Sequence, residues 1–472
     1  MTLRIASLLL SLVATTLPAQ ERDIVVTGGW VFTSTGNDRI RNPGIVIRAG
    51  KLLRVGGVTS IAAPNAERIV VADSETVIPG LFDLHAHYAI ELFGAGRKDE
   101  TAAYPSLFLA NGVTSTFPAG EMDPNVMRDL RVRIENGVEP GPRLLNSGPY
   151  FGTARPDWDR NITAQQIYAE VDHWAALGAR GFKAKGITPD QLRALIERAH
   201  FHGLTVTGHL DSGNRNSVNP RDAILMGIDR IEHFMGGDAF TADKSAYASY
   251  EHMTFDTPEF KRIAESYKRA HTNFDATLSA YGYYGKKDPD VFTYFVDEKK
   301  FLTPYMRSVI DARAPRRVNE QFENIYWTKR KEIKAFYDAG GGDLITLGTD
   351  HPSWGEYFTP FSVHRELQSL SRSGIPAAAV LRIATINSAR AMGLGDRLGS
   401  IEAGKWADLV VVRGNPLADI RRTRQPRVII KAGRVYDPAA LMKSVEGKIG
   451  PASAADTAAW APTPRGVRAG VP

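Results

Sequence analysis

The chain has no cysteine among its 472 residues. That absence excludes a disulfide framework, a thiolate metal site, an iron–sulfur cluster and a cysteine nucleophile. Strong charge of one sign is also missing, with 58 Lys and Arg against 52 Asp and Glu and a formal net charge of +6. The basic clusters are short: Arg421 with Arg422, and Arg313 with Arg316 and Arg317, the latter flanked by Asp311 and Glu320. They form no extended stripe, so a nucleic-acid partner is not expected. Past the N-terminal segment, no apolar run approaches the roughly 20 residues that a membrane span needs. The composition, 43% hydrophobic and 23% charged, is that of a globular protein and excludes a disordered chain. The length fits one large domain with a satellite, or two or three average domains.

The N-terminus reads as a targeting segment. Arg4 brings one positive charge, Ile5 to Leu17 is a short apolar stretch, and Ala19 is a small residue at a cleavage point. This is the three-part layout of a secretory signal. Residues 1–20 are therefore expected to be a signal peptide. The mature chain would be exported, periplasmic or secreted, where a lack of cysteine is no handicap.

Both ends of the mature chain read as short strands. Near the start these are Asp23–Thr27, Gly44–Arg48 and Lys51–Val55; near the end, Asp408–Val412, Arg427–Lys431 and Arg434–Tyr436. β-Branched runs with Gly-containing breaks favour hairpins. Between the ends, strand-like and helical runs alternate. Gly181–Ala184 leads to a helix near Pro189–His202, with Thr188 as N-cap and Gly203 as terminator, and then to Leu204–His209. Such units over some 300 residues point to a parallel barrel. The stretch Pro451–Pro472, rich in Ala, Pro and Gly, reads as a loose tail.

Six positions stand out chemically. His85 and His87 are two apart, so on a strand both imidazoles face one side and can meet one metal ion. With 11 histidines in the chain, such a pair alone is a weak signal. Lys183 follows an apolar strand and is either a surface lysine or a desolvated amine that captures carbon dioxide as a carbamate. Lys185 shares its strand parity and is the rival for that role. His209 and His233 each end a strand, where a histidine is as readily packed or capping as functional. Asp350 ends Leu344–Asp350 and is either a helix N-cap or a metal ligand and proton acceptor.

The order of these residues resembles the amidohydrolase superfamily: His-x-His, then Lys, His, His and Asp, each at a strand end. The likeness is to its binuclear, carboxylated-lysine branch, with imidazolonepropionase-like and metal-dependent dipeptidase-like relatives. Val77–His87, Ala384–Ala391 and Gly399–Val411 carry the resemblance, which runs from about residue 22 to 436. It implies an α/β fold, a (β/α)8 TIM-type barrel with a small β-sandwich formed by both chain ends. Residues 21–78 and 392–436 would form the sandwich, 79–391 the metal-dependent hydrolase barrel, and 437–472 a C-terminal tail.

The resemblance also implies roles. His85 and His87 would hold the more buried of two divalent ions, with zinc the favoured metal, and His209 and His233 the more exposed one. Lys183, carboxylated by carbon dioxide, would bridge them, and Asp350 would touch the first ion and shuttle protons. The implied reaction is hydrolysis of an amide C–N bond, in a dipeptide or a non-peptide amide, of a small-molecule substrate. A lactonase or phosphotriesterase uses the same ligand set and is the alternative. A deaminase, which typically manages with one ion, and a non-catalytic relative rank lower. Tyr88, Tyr281, Tyr283, His351 and Arg365 are expected near the mouth, with Tyr88, Tyr281 and His351 as substrate contacts. The run Ser115–Glu121 departs from the pattern of relatives and would reshape that mouth. Oligomeric state is left open.

Overall fold

Strand–helix alternation builds the middle of the chain. The computed structural model describes residues 22–56, 65–94, 96–251, 253–293 and 295–460, so the expected signal segment lies outside it. Strands Tyr150–Phe151, Gly181–Lys185, Thr205–His209, Arg230–Glu232 and Asn273–Asp275 lie side by side and parallel. A second parallel group joins Leu81–Asp83, Val113–Thr116 and Arg143–Leu144. Single contacts link the groups. Arg180 N–H donates to the Asn146 carbonyl at 2.8 Å, and Leu84 N–H to the Leu347 carbonyl at 2.8 Å. Phe274 and Ile345 form a parallel bridge. The fold is thus mixed α/β.

The helices form where the sequence provides a stripe and a cap. In Pro189–Phe201, Leu192, Leu195, Ile196 and Ala199 are buried at helical spacing, and proline opens the first turn. Helix Ala164–Ala176 starts with reciprocal capping, Thr163 N–H donating to Gln166 at 3.0 Å and Gln166 N–H to Thr163 at 3.3 Å. Most strand residues of the middle section are buried on both faces, as parallel strands under helices must be.

Both chain ends contribute to one six-stranded sheet. Its order is Arg434–Tyr436, Pro426–Lys431, Leu409–Arg413, Glu75–Pro79, Trp30–Val31 and Ile40–Arg41. A four-stranded sheet from the N-terminal end shares an apolar cluster with it, through Ile24, Val26 and Ile47 against Val77, Leu409 and Val411. Leu409 pairs with Pro79, which runs on through Gly80 into Leu81–Asp83. The joined ends therefore anchor the strand that leads to His85 and His87.

Beyond Tyr436 the structure differs from a loose tail. Asp437 caps helix Pro438–Ser444, and Leu441, Val445 and Ile449 are buried in the main core. Thr303 N–H donates to the Ile449 carbonyl at 2.8 Å. Residues 437–450, expected as tail, are thus a docked clasp, and Ala454–Trp460 follows as a short 3-10 helix whose Trp460 packs against the main core.

Candidate metal centre

Strand alternation and register bring the six positions together. His85 and His87 follow Leu81–Asp83; Lys183 lies in Gly181–Lys185, in register with Thr207; His209 ends its strand, and His233 follows Arg230–Glu232. Asp350 Oδ1 is 2.9 Å from His87 Nε2 and 3.3 Å from His85 Nε2. Lys183 Nζ is 3.4 Å from His85 Nε2, and His233 Nε2 is 3.8 Å from Asp350 Oδ2. The rings of His209 and His233 have centroids 4.2 Å apart.

Two backbones are bent to achieve this. His233 has φ +71° and Asp350 has φ +44°, both in the left-handed region that L-residues avoid. Such conformations persist where neighbours over-determine them. Asp350 N–H donates to the His85 carbonyl at 3.0 Å. Just before it, Thr349 N–H and hydroxyl donate to the Asp83 carboxylate at 3.1 and 2.7 Å. Asp83 also takes the His85 N–H at 3.0 Å, so one buried carboxylate fixes the loops that carry His85 and Asp350. Burial pushes its pKa up to about 7 against those hydrogen bonds.

The electrostatics favour neutral imidazoles. Burial holds His85, His209 and His233 well below the usual histidine range, and His87 below it. Neutral imidazole is the form that offers a lone pair to a metal. Burial likewise pushes the Lys183 amine well below its ordinary value. Burial opposes ionisation of Asp350, but its hydrogen bond with His87 and the other basic groups around it outweigh this and leave the pKa below normal.

The donor set suits a cation. His85, His87 and Asp350 offer ligand atoms within 4.8 Å of one another, and so do His85, Glu232 and His233. His233 Nδ1 is 2.7 Å from the Thr277 hydroxyl, which itself donates to the Ala276 carbonyl at 2.7 Å. Nδ1 is therefore the protonated nitrogen and Nε2 keeps its lone pair. That Nε2 is buried without a hydrogen-bond partner among the described residues. A divalent ion answers such an orphan, as a protein donor does not here.

A cavity of about 260 Å³ opens on the cluster. His87, His209 and Asp350 line it, with Arg97, Lys185 and a wall of Tyr247, Tyr281, Tyr284, Phe322 and Trp354. His85, Lys183 and His233 lie beneath, almost wholly buried.

A family model described as amidohydrolase family matches residues 76–435. The chain belongs to the amidohydrolase family. Among curated relatives, a 5'-deoxyadenosine deaminase of Methanosarcina acetivorans is 22% identical, over 83% of this chain and 84% of its own. A 5-methylthioadenosine/S-adenosylhomocysteine deaminase of Syntrophobacter fumaroxidans is 39% identical, but only over 15% of this chain and 18% of its own length. Among solved structures, a Xaa-Pro dipeptidase has a TM-score of 0.65 at 22% identity, covering 88% of this chain and all (100%) of its own. A phenylurea hydrolase B has a TM-score of 0.67 at 17% identity, covering 91% of this chain and 100% of its own.

Several expected contacts of this family member fall elsewhere. Tyr88 is not at the mouth: its ring packs 5.0 Å from Phe108 in the core, and its hydroxyl meets Thr116 at 3.2 Å. Tyr88→Phe should therefore leave KM unchanged and cost only about 1 kcal/mol of stability, measured by urea unfolding. Arg365 is interior too, paired with the buried Glu298 and stacked 4.3 Å over Tyr357. Tyr281 and His351 do line the cavity, while Tyr283 lines an adjoining one of about 620 Å³. Phe117 to Glu121 is buried and lines neither, so it shapes the mouth only from behind.

Three charged residues went unnoticed in the sequence. Glu232 contacts Lys183 and lies 3.4 Å from His85 Nδ1. Asp275 lies 3.7 Å from the same nitrogen, and Arg230 is 3.4 Å from Asp275. Burial pushes Asp275 up to about 6, with Arg230 opposing. Their positions gave only a faint hint, since Glu232 adjoins His233 and Asp275 ends its strand as His209 does, and neither position marks a buried charge.

Proposed function

We propose that the protein is a metal-dependent hydrolase that cleaves an amide C–N bond of a small molecule. In this reading the linked parallel strands close as a (β/α)8 barrel and the joined ends form a β-sandwich. His85, His87 and Asp350 would hold one divalent ion, His209 and His233 another, and Lys183 would bridge them as a carbamate; zinc suits the imidazole set. Such ions, when bound, polarise a carbonyl and lower the pKa of water to near neutrality.

The observation that carries the proposal is Lys183 itself. Its amine is fully buried among His85 and Glu232, and burial favours the uncharged form that can add carbon dioxide. In that addition an N–C bond forms, one proton leaves, and the product is an anion with two oxygens. Asp350, ionised and next to His87, accepts a proton from the attacking water and returns it to the leaving nitrogen. The aromatic wall excludes water from one side of the cavity and offers flat surfaces to the substrate.

A second reading is favoured by one contact. The unmodified Lys183 ammonium is neutralised by Glu232, which would suit a site with a single ion. The curated relatives with nucleoside deaminase activity in their names fit that alternative. Elemental analysis and a substrate screen on metal-loaded protein separate the two. We expect close to two ions per chain and amine release from N-acyl amino acids, dipeptides or cyclic imides. One ion with ammonia release from adenosine derivatives would establish the deaminase. Lactone opening without amide turnover would establish the esterase alternative.

A further inference from the structure

We propose that Lys329 is a positioning residue for His233: its buried ammonium holds the carbonyl of the left-handed backbone that presents the imidazole to the metal. The inference rests on the reading of His233 as a metal ligand.

Lys329 sits in helix Glu320–Phe336, whose Ile325, Ile333 and Phe336 pack into the core. The Lys329 side chain is fully buried and its Nζ donates to the His233 carbonyl oxygen. The ammonium stands over three aromatic faces, 4.8 Å from the centroid of Tyr281, 4.9 Å from Phe234 and 5.7 Å from Tyr250. No carboxylate lies within ion-pair distance of it among the described residues. Glu332, on the same helix, instead accepts the Tyr250 hydroxyl at 2.6 Å. A buried cation without an ion pair is costly, and an apolar chain of similar length would fill the space at less cost. What the lysine can do and methionine cannot is donate a hydrogen bond, here to the His233 carbonyl.

The task is visible at His233. With φ at +71°, this residue leaves the extended backbone of its strand, and among the described residues no backbone N–H donates to its carbonyl. The N–H finds the Asp275 carbonyl at 3.0 Å and the ring finds Thr277 at 2.7 Å. The carbonyl is left as the third handle, and Lys329 takes it. With all three engaged, the imidazole has one orientation, Nδ1 on Thr277 and Nε2 free. Without Lys329 a buried carbonyl is orphaned, and relaxing toward an ordinary φ would swing the ring away from His209 and Asp350.

The test compares the full-length metal-loaded protein with Lys329→Met and Lys329→Gln, the second retaining a donor without the charge. Zinc affinity is read by chelator competition, and the Co(II) electronic spectrum reports ligand geometry. Partners that orient a metal-bound imidazole are worth about 10- to 100-fold in affinity. We expect Lys329→Met to weaken the ion that His209 and His233 would hold by that factor and to alter the Co(II) bands. The other ion should be unaffected, and Lys329→Gln should recover part of the loss. If Lys329 only braces its helix, the melting temperature of the metal-free variant falls while zinc affinity and spectrum match the parent, and the proposal is overturned. A parent protein that binds no zinc would instead overturn the metal reading on which it rests. Should Lys329→Met fail to fold, unchanged affinity and spectrum in Lys329→Gln would overturn the proposal equally.

Discussion

Lys183→Ala is expected to purify as a folded protein holding one divalent ion or fewer, with turnover down by more than about 100-fold. The lower bound follows because removing a partner that merely orients a ligand already costs about 10- to 100-fold, and a bridging ligand must exceed it. Four histidines bring no negative charge, and two dications a few ångström apart repel strongly in a dry site. A carbamate on Lys183 would supply the anion that offsets this. Without metal, the variant loses the buried Lys183–Glu232 contact and leaves a cavity, so it should melt at a lower temperature than the metal-free parent. The large core on both faces of the strands keeps it folded. A short carboxylic acid such as propionate, added to the variant, should restore part of the turnover by occupying the vacated bridge. Lys185→Ala is the control. Lys185 lines the cavity in register with His209, outside the buried cluster, and its loss should leave metal content unchanged. If Lys185→Ala strips the metal and Lys183→Ala does not, the bridging role belongs two residues along the strand.

The candidate residues could be picked out together because most lie at or just past the ends of strand-like runs, and a parallel arrangement collects strand ends on one face. The same physics explains what was missed. Tyr88 is one residue past His87, so strand-like alternation turns it away from the imidazoles and into Phe108. The spacing of His85 and His87 carried little by itself. His200 and His202 have the same spacing at a helix end, and there each meets a surface carboxylate, Asp229 at 3.0 Å and Asp172 at 2.6 Å. Only the run of later strand-end residues distinguishes the two pairs. Glu232, Arg230 and Asp275 were overlooked because their partners are 40 or more residues away in sequence or across strands, and no local pattern marks a buried charge. Helix Pro438–Ser444 was not foreseen, because seven residues are too few for an apolar stripe at helical spacing to stand out. The roles of Thr277 and Lys329 depend on the φ of His233, which no local sequence rule assigns to a histidine.

Asp350→Asn is expected to hold the ion it shares with His85 and His87 more weakly but, when metal-loaded, to keep its KM within a few-fold while kcat falls by about 10²- to 10⁴-fold, the usual worth of a positioned acid–base group. The substitution is unusually clean at this position. With φ at +44°, the backbone is left-handed, and asparagine tolerates that region about as well as aspartate, whereas alanine would add strain. The side-chain oxygen of asparagine can still face His87 Nε2, at 2.9 Å in the parent, so the histidines keep their orientation. The Asp350 N–H to the His85 carbonyl, and the Thr349 bonds to Asp83, do not involve the altered group. What is lost is the ability to hold a proton between the attacking water and the leaving nitrogen, because an amide is neither base nor acid near neutral pH. The burden would fall most on substrates with a poorly stabilised leaving nitrogen. A series of anilides with increasingly acidic leaving groups should therefore show a shrinking difference between parent and variant. Measurement of kcat across that series, with metal content by elemental analysis, decides the point. A uniform loss across the series would assign Asp350 to metal binding alone, and a variant with near-parent kcat throughout would place the proton transfer on another residue.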